Sequence, residues 1–104
     1  MQLQFDETGT ILKAKITGEL DHHEASVLRE KIDLKLSSDI FNNLILDFSE
    51  LSFMDSSGIA LIMGRVKYIE ALNGKVKVIV NQNIERMLKI AGLDKYVDIE
   101  RNGL

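Results

Sequence analysis

Two short stretches of this sequence concentrate the side chains that can do chemistry. One is Leu51-Ser52-Phe53-Met54-Asp55-Ser56-Ser57-Gly58-Ile59; the other is Gly18-Glu19-Leu20-Asp21-His22-His23-Glu24. The first sets two adjacent hydroxyls behind a carboxylate. Asp55 is a good helix N-cap. With Asp55 at the cap, Met54 and Ile59 take the N′ and N4 places of a hydrophobic staple. Ser56 and Ser57 then fall in the first turn, where backbone N–H groups lack partners and the helix dipole favours an anion. A phosphoryl group on Ser56 would be held there and would add a charge of about −1.5 to −2. Asp55 would oppose that charge, so its effect is expected on a partner's surface rather than on folding. On spacing alone, Asp-Ser-Ser-Gly is a well-made helix start and nothing more. Its place gives it weight, because it follows an apolar strand and α/β sheets put their sites at the carboxyl ends of strands.

Other chemistries fit these residues poorly. A nucleophile elbow needs glycine two residues before and two after the serine; Ser56 has Met54 before it and Gly58 after it. The only histidines, His22 and His23, are adjacent, so a Ser-His-Asp triad is not expected. The second stretch holds the residue types of a metal site, but neighbours at a helix start point about 100° apart and no third histidine exists. Polar residues at a helix start are the expectation, with a surface contact as the functional alternative. No metal and no cofactor is expected. Gly9, Gly18, Gly58, Gly64, Gly74 and Gly92 form neither a Gly-x-Gly-x-x-Gly nor a Walker A pattern. Gly64 lies inside a helical stretch, where glycine costs up to about 1 kcal/mol; tight packing on a neighbouring element is the expected reason for it.

The elements that must position these residues follow from periodicity. Residues 1–6 and 10–17 alternate as strands around a turn at Glu7-Thr8-Gly9, which predicts a hairpin with one buried face. Gly18-Glu19-Leu20 reads as a break. Asp21 and Glu24 make a capping-box start for a helix whose stripe is Ala25, Leu28, Ile32 and Leu36 and which ends at Ser37-Ser38-Asp39. Residues 43–48 form a short strand whose apolar run predicts burial on both faces. Residues 49–55 read as a loop. A long helix runs from 56 to about 72 on Ile59, Ile62, Val66 and Ile69, closed by Asn73-Gly74 with glycine just past its end. Residues 75–80 alternate as a strand. Ile84, Met87, Leu88 and Ala91 mark a third helix ended by Gly92, and residues 96–99 a last strand. The order β-β-α-β-α-β-α-β predicts an α/β domain: a mixed, mostly parallel sheet of about five strands with helices packed on it.

Composition narrows the class. The chain of 104 residues suits one domain. It has no cysteine, which excludes disulfides, thiolate nucleophiles and cysteine-based zinc sites. A net charge of −3 without a basic stripe, together with few aromatics and no tryptophan, argues against nucleic-acid binding. The N-terminus lacks the basic and apolar regions of a signal peptide. The longest apolar stretch, 58–64, is too short to span a bilayer. A cytoplasmic protein without a membrane partner is the expectation.

Taken together, the two stretches and Gly64-Arg65 resemble the anti-sigma-factor antagonists of the STAS superfamily. The likeness is greatest to the sporulation members that act on an anti-sigma F factor. It spans nearly the whole chain in the same order of elements, while Asp-Ser-Ser-Gly by itself is shared with stress-response antagonists. The resemblance implies one STAS domain over residues 1–104, and a substrate and ligand rather than an enzyme. It implies that Ser56 is phosphorylated by the anti-sigma factor, itself a serine kinase. The unphosphorylated form would bind that kinase and free the sporulation sigma F factor. The phosphorylated form would not bind until a PP2C-type phosphatase restored the serine. Asp21, His22 and His23 match the family's other motif, which lies near the phosphorylated loop and touches the kinase; Asp55, Ser57 and Gly58 would shape the loop. Members usually carry a further C-terminal helix, for which these residues show no counterpart, and its absence would leave apolar sheet surface open. The alternatives are a stress-response antagonist of the same type and, from another class, a small-molecule or nucleotide-binding STAS module that uses the same helix start as an anion site.

Overall fold

The computed structural model describes residues 1–38 and 40–102. Along them run β1 (Gln2–Thr8), β2 (Ile11–Leu20), α1 (His22–Ser37), β3 (Asn43–Met54), α2 (Ser56–Glu70), β4 (Val76–Val80), α3 (Gln82–Ile90) and β5 (Asp98–Arg101), with a 3-10 turn at Leu93–Lys95. The sheet order is β1-β2-β3-β4-β5. β1 is antiparallel to β2, and each later pair is parallel. The mixed, mostly parallel sheet read from the sequence is therefore the observed one. The first helix ends at Ser37 with Ser38 as its cap; Asp39, named with them as the helix end, lies outside the described residues.

The parallel strands advance across the sheet in one direction. Right-handed crossovers then bring α1, α2 and α3 to the same face. Burial follows this rule. Leu12, Ala14, Ile16, Leu44, Leu46, Phe48, Val76, Val78 and Val80 are buried, while Lys13, Lys15, Ile45 and Lys77 between them are only half covered. The expectation that residues 43–48 are covered on both faces is thus corrected at Ile45. The uncovered face carries the Lys15–Glu50 and Lys77–Glu100 ion pairs.

Three elements extend beyond their expected ends, and one is displaced. β1 runs on through Glu7 and Thr8, which pair with Leu12 and Ile11, so the turn lies at Gly9 and Thr10 rather than at Glu7-Thr8-Gly9. β2 does not break at Gly18 but continues to Leu20 through two register shifts. Gly18 has φ +98°, and a Cβ there would lie 3.3 Å from the Met1 backbone, so only glycine carries the chain through this bulge without strain. Residues 49–54 are strand rather than loop. They pair with β2 alone, from Thr17↔Glu50 to Leu20↔Met54, because β4 stops pairing at Asp47↔Ile79. On the side β4 leaves, the Asn81 side-chain amide donates to the carbonyls of Ser49 (3.2 Å) and Leu51 (3.0 Å). The last strand lies at Asp98–Arg101 rather than 96–99, because the turn at Leu93–Lys95 takes up the preceding residues.

Two glycines of the α2 region differ from their expected roles. At its end the left-handed residue is Asn73 (φ 60°), not Gly74. Gly74 serves close approach instead, since a Cβ there would fall 1.4 Å from the Asn42 carbonyl oxygen. At Gly64 tight packing was expected, yet a Cβ would meet nothing within 4 Å. The flanking helices simply do not close over that point. Gly64→Ala is therefore expected to stabilise the domain by up to about 1 kcal/mol through helix propensity, read as a rise of several degrees in melting temperature. A fall in melting temperature would contradict the open space seen there.

Candidate functional site

Parallel pairing brings the two motifs together. Leu20 and Met54 are register partners at the carboxyl ends of β2 and β3. The next residue on each strand, Asp21 and Asp55, caps a helix, so two helix starts emerge side by side. Asp21 accepts from the Glu24 N–H at 2.9 Å, and Asp55 accepts from the Ser57 N–H at 2.9 Å. Both caps have extended backbone, which turns the carboxylate back onto the first turn. The Asp55 N–H donates to the Leu20 carbonyl, and the Ser52 hydroxyl donates to the Gly18 carbonyl at 3.1 Å. These contacts hold the strand ends in step and fix the spacing between the helices.

A side-chain bond ties the helix starts directly. His22 Nδ1 lies 3.1 Å from Ser57 Oγ, with the donor set by the imidazole tautomer. His22 thus turns toward α2, and His23 is exposed to solvent. The two serines are left in different states. The Ser57 hydroxyl is engaged by His22, and its residue is half-buried. Ser56 is exposed, and among the described residues its hydroxyl has no hydrogen-bond partner. As the first helical residue it sits where the dipole favours added negative charge, opposed by the neighbouring Asp55.

Beneath this turn the packing is close. Met54 is buried, and a Cβ on Gly58 would lie 2.4 Å from Met54 Cγ and Sδ. Gly58 therefore lets α2 start directly on top of Met54. Ile59, the residue expected to staple to Met54, is half-buried against the core. Shortly before the Asp55 cap, Phe53 is 46% exposed, an open apolar side chain of the kind that suits a docking surface. Sequence reasoning missed Ser52 and Phe53 because it took their segment for a loop. The bulged register breaks the alternation that would have exposed them, leaving both open between buried Leu51 and Met54. All seven residues singled out from the sequence, Asp21, His22, His23, Asp55, Ser56, Ser57 and Gly58, lie at this pair of helix starts. Among the described residues no group of three or more His, Asp or Glu side chains is placed to hold a metal ion. No described helix is long and apolar enough to cross a membrane.

Known proteins are similar to this chain in sequence and fold. The chain is 33% identical over 103 residues to the anti-sigma F factor antagonist of Paenibacillus polymyxa, covering 98% of this chain and 88% of that one. It is 30% identical over 89 residues to the anti-sigma-B factor antagonist of Bacillus subtilis strain 168, covering 85% and 80%. Among solved structures it superposes on the anti-sigma factor antagonist SpoIIAA at 28% identity and 98% of this chain. The TM-score is 0.85 against the unphosphorylated form (89% of that chain) and 0.78 against the phosphorylated Bacillus form (92%). The STAS domain model matches residues 2–102, and the chain therefore belongs to the STAS domain family.

Proposed function

We propose that this chain is an anti-sigma factor antagonist switched by phosphorylation of Ser56. The unphosphorylated form binds an anti-sigma factor that is also a serine kinase, and so frees the sigma factor. One observation carries the choice of residue: of the two serines at the start of α2, Ser57 is held by His22, while Ser56 is exposed and its hydroxyl has no partner among the described residues. In the transfer, Ser56 Oγ bonds to the γ-phosphorus of ATP, the bond to ADP breaks, and the hydroxyl proton passes to a base on the kinase. Asp55 is already spent on the Ser57 N–H, so its part is to shape the turn. Asp21, His22, His23, Ser57 and Gly58 complete the face the kinase meets. A PP2C-type phosphatase resets the switch by hydrolysis. The reading places the protein in the cytoplasm, where sigma factors act.

The partner favoured is the anti-sigma F factor of sporulation. Two relatives named as antagonists of that factor are 33% and 32% identical to this chain, against 30% for the sigma-B relative. A stress-response pathway is the second reading, and it rests on the 30% identity to the sigma-B antagonist.

The test is intact mass after incubation with a cognate anti-sigma kinase and ATP, with the site mapped by fragmentation. One added phosphate on Ser56 is expected. No added mass from a kinase active on another substrate, or a phosphate on Ser57, would refute the assignment.

A further inference from the structure

Between α1 and α2 runs a groove. It begins at the His22–Ser57 hydrogen bond and follows α2 past Leu61 and Gly64 toward Tyr68. Its upper stretch, about 480 Å³, is lined by His22, Arg29 and Arg65 together with small and apolar residues, and by no carboxylate. The lower stretch, which shares Gly64 and Arg65 with the upper one, has Glu30, Asp33, Leu34 and Tyr68 on its walls. A carboxylate-free, arginine-lined hollow is unusual on a chain whose net charge is −3.

Arg65 is 9% exposed. Its Nε lies 3.0 Å from Asp33 Oδ1, within ion-pair range but off the N–H axis. Nε and Nη1 consequently have no hydrogen-bond partner among the described residues. Burial pushes the guanidinium below its ordinary pKa and Arg29 adds to this, against the pull of Asp33. No ion pair is made by Arg29 among the described residues. A nearly buried cation with open donors is costly to keep. Gly64 beside it is costly as well, being a glycine inside a helix with ordinary negative φ and nothing near its missing side chain. Asp33 offsets the charge of Arg65, but neither the unmade hydrogen bonds of Arg65 nor Gly64 has a reason within the described residues. Both have one if another molecule enters at that point.

We infer that the upper stretch of the groove receives an acidic side chain of the anti-sigma factor, which approaches the α2 backbone at Gly64 and pairs with Arg65 and Arg29. The inference rests on the proposed function and adds to it the chemistry of the contact. Gly64 lies eight residues beyond Ser56, about 12 Å along the helix at 1.5 Å per residue. That distance falls within one interface of ordinary size. The groove opens at Ser57, so the contact is continuous with the face that presents Ser56. Engagement here would align α2 on the kinase before the serine is transferred into its active site.

The test is calorimetric titration of the full chain with the anti-sigma kinase in the presence of ADP, for wild type, Gly64→Ala and Arg29→Gln, beside their melting curves. Gly64→Ala is expected to melt higher than wild type and yet bind at least about tenfold more weakly. Arg29→Gln is expected to bind more weakly, with a shallower dependence on salt. Wild-type affinity in Gly64→Ala would overturn the inference while leaving the antagonist reading intact. A wild type that does not bind the kinase overturns both. A melting shift with inorganic phosphate alone, seen in wild type and lost in Gly64→Ala, would mark the groove as a site for a free anion and overturn the protein carboxylate.

Discussion

Ser56→Asp is expected to bind the anti-sigma kinase at least about a hundredfold more weakly than wild type, and Ser56→Ala to bind normally but stay bound when ATP is added. The size follows from where the charge would sit. Ser56 is exposed at the start of α2, and Phe53 and His23 are exposed as well. Docking there strips water from whatever Ser56 carries. An ion buried without an opposite charge costs several kcal/mol, and every 1.4 kcal/mol is tenfold in affinity. The residue before it, Asp55, carries a carboxylate held at the cap, a charge of the same sign. The helix dipole makes the phosphorylated state tolerable in the free protein, so the switch should change binding far more than folding. Ser57→Ala is the control. It removes the bond from His22, a contact of ordinary worth at about 0.5–1.5 kcal/mol, and should weaken binding only modestly while leaving phosphorylation in place. Titration calorimetry of the four proteins against the kinase with ADP, then with ATP, separates these outcomes. Equal affinity for Ser56→Asp and wild type would remove Ser56 as the switch.

How far the sequence revealed this arrangement depends on whether the deciding contact was local. The Asp21 and Asp55 caps were legible because capping is settled within three residues. The α2 stripe was legible for the same reason, apart from Leu61 being buried where Ile59 was expected. The carboxyl half of β3 was hidden. Its polar residues pair with β2 through shifted register, and its other side is satisfied by Asn81, about thirty residues further on. The difference between Ser56 and Ser57 was also hidden, because it is made by His22 on another helix. The helix start already marked Ser56 as a place that holds a phosphoryl group, but only the family resemblance implies that it is the serine phosphorylated. Gly64 shows the limit from the other side. Sequence can price a glycine in a helix, but what stands opposite it is a property of how α1 and α2 are spaced.

Gly74 completes that contrast, and Gly74→Ala is expected to be the most damaging single-methyl change in the fold, at about 3 kcal/mol or more. A Cβ there would sit 1.4 Å from the Asn42 oxygen and 2.6 Å from its carbonyl carbon, with Ile69 Cγ2 at 2.9 Å on another side. Backbone, unlike a flexible side-chain end, must move as a unit, and this backbone is pinned. The N–H groups of Asn42 and Asn43 both donate to the Thr10 carbonyl. Asn43 Oδ1 accepts from the Lys75 N–H at 2.9 Å, and the Leu44 N–H donates to the Lys75 carbonyl. Relieving the clash therefore disturbs the entry of β3 and β4 into the sheet together. For a domain of this size, 3 kcal/mol corresponds to a fall of more than about 10 °C in melting temperature. Asn73 gives the discriminating comparison. It holds the left-handed conformation, which costs an ordinary residue roughly 1–2 kcal/mol. Asn73→Gly should then be neutral or slightly stabilising, and Asn73→Ala should lose about 1 kcal/mol or less. If Gly74 were instead the residue chosen for its backbone freedom, this order would reverse. Thermal unfolding followed by circular dichroism decides between them. Because Gly74 lies at the amino ends of the strands and Ser56 at their carboxyl ends, Gly74→Ala below its transition should still accept a single phosphate on Ser56, so that the loss is one of stability and not of the site.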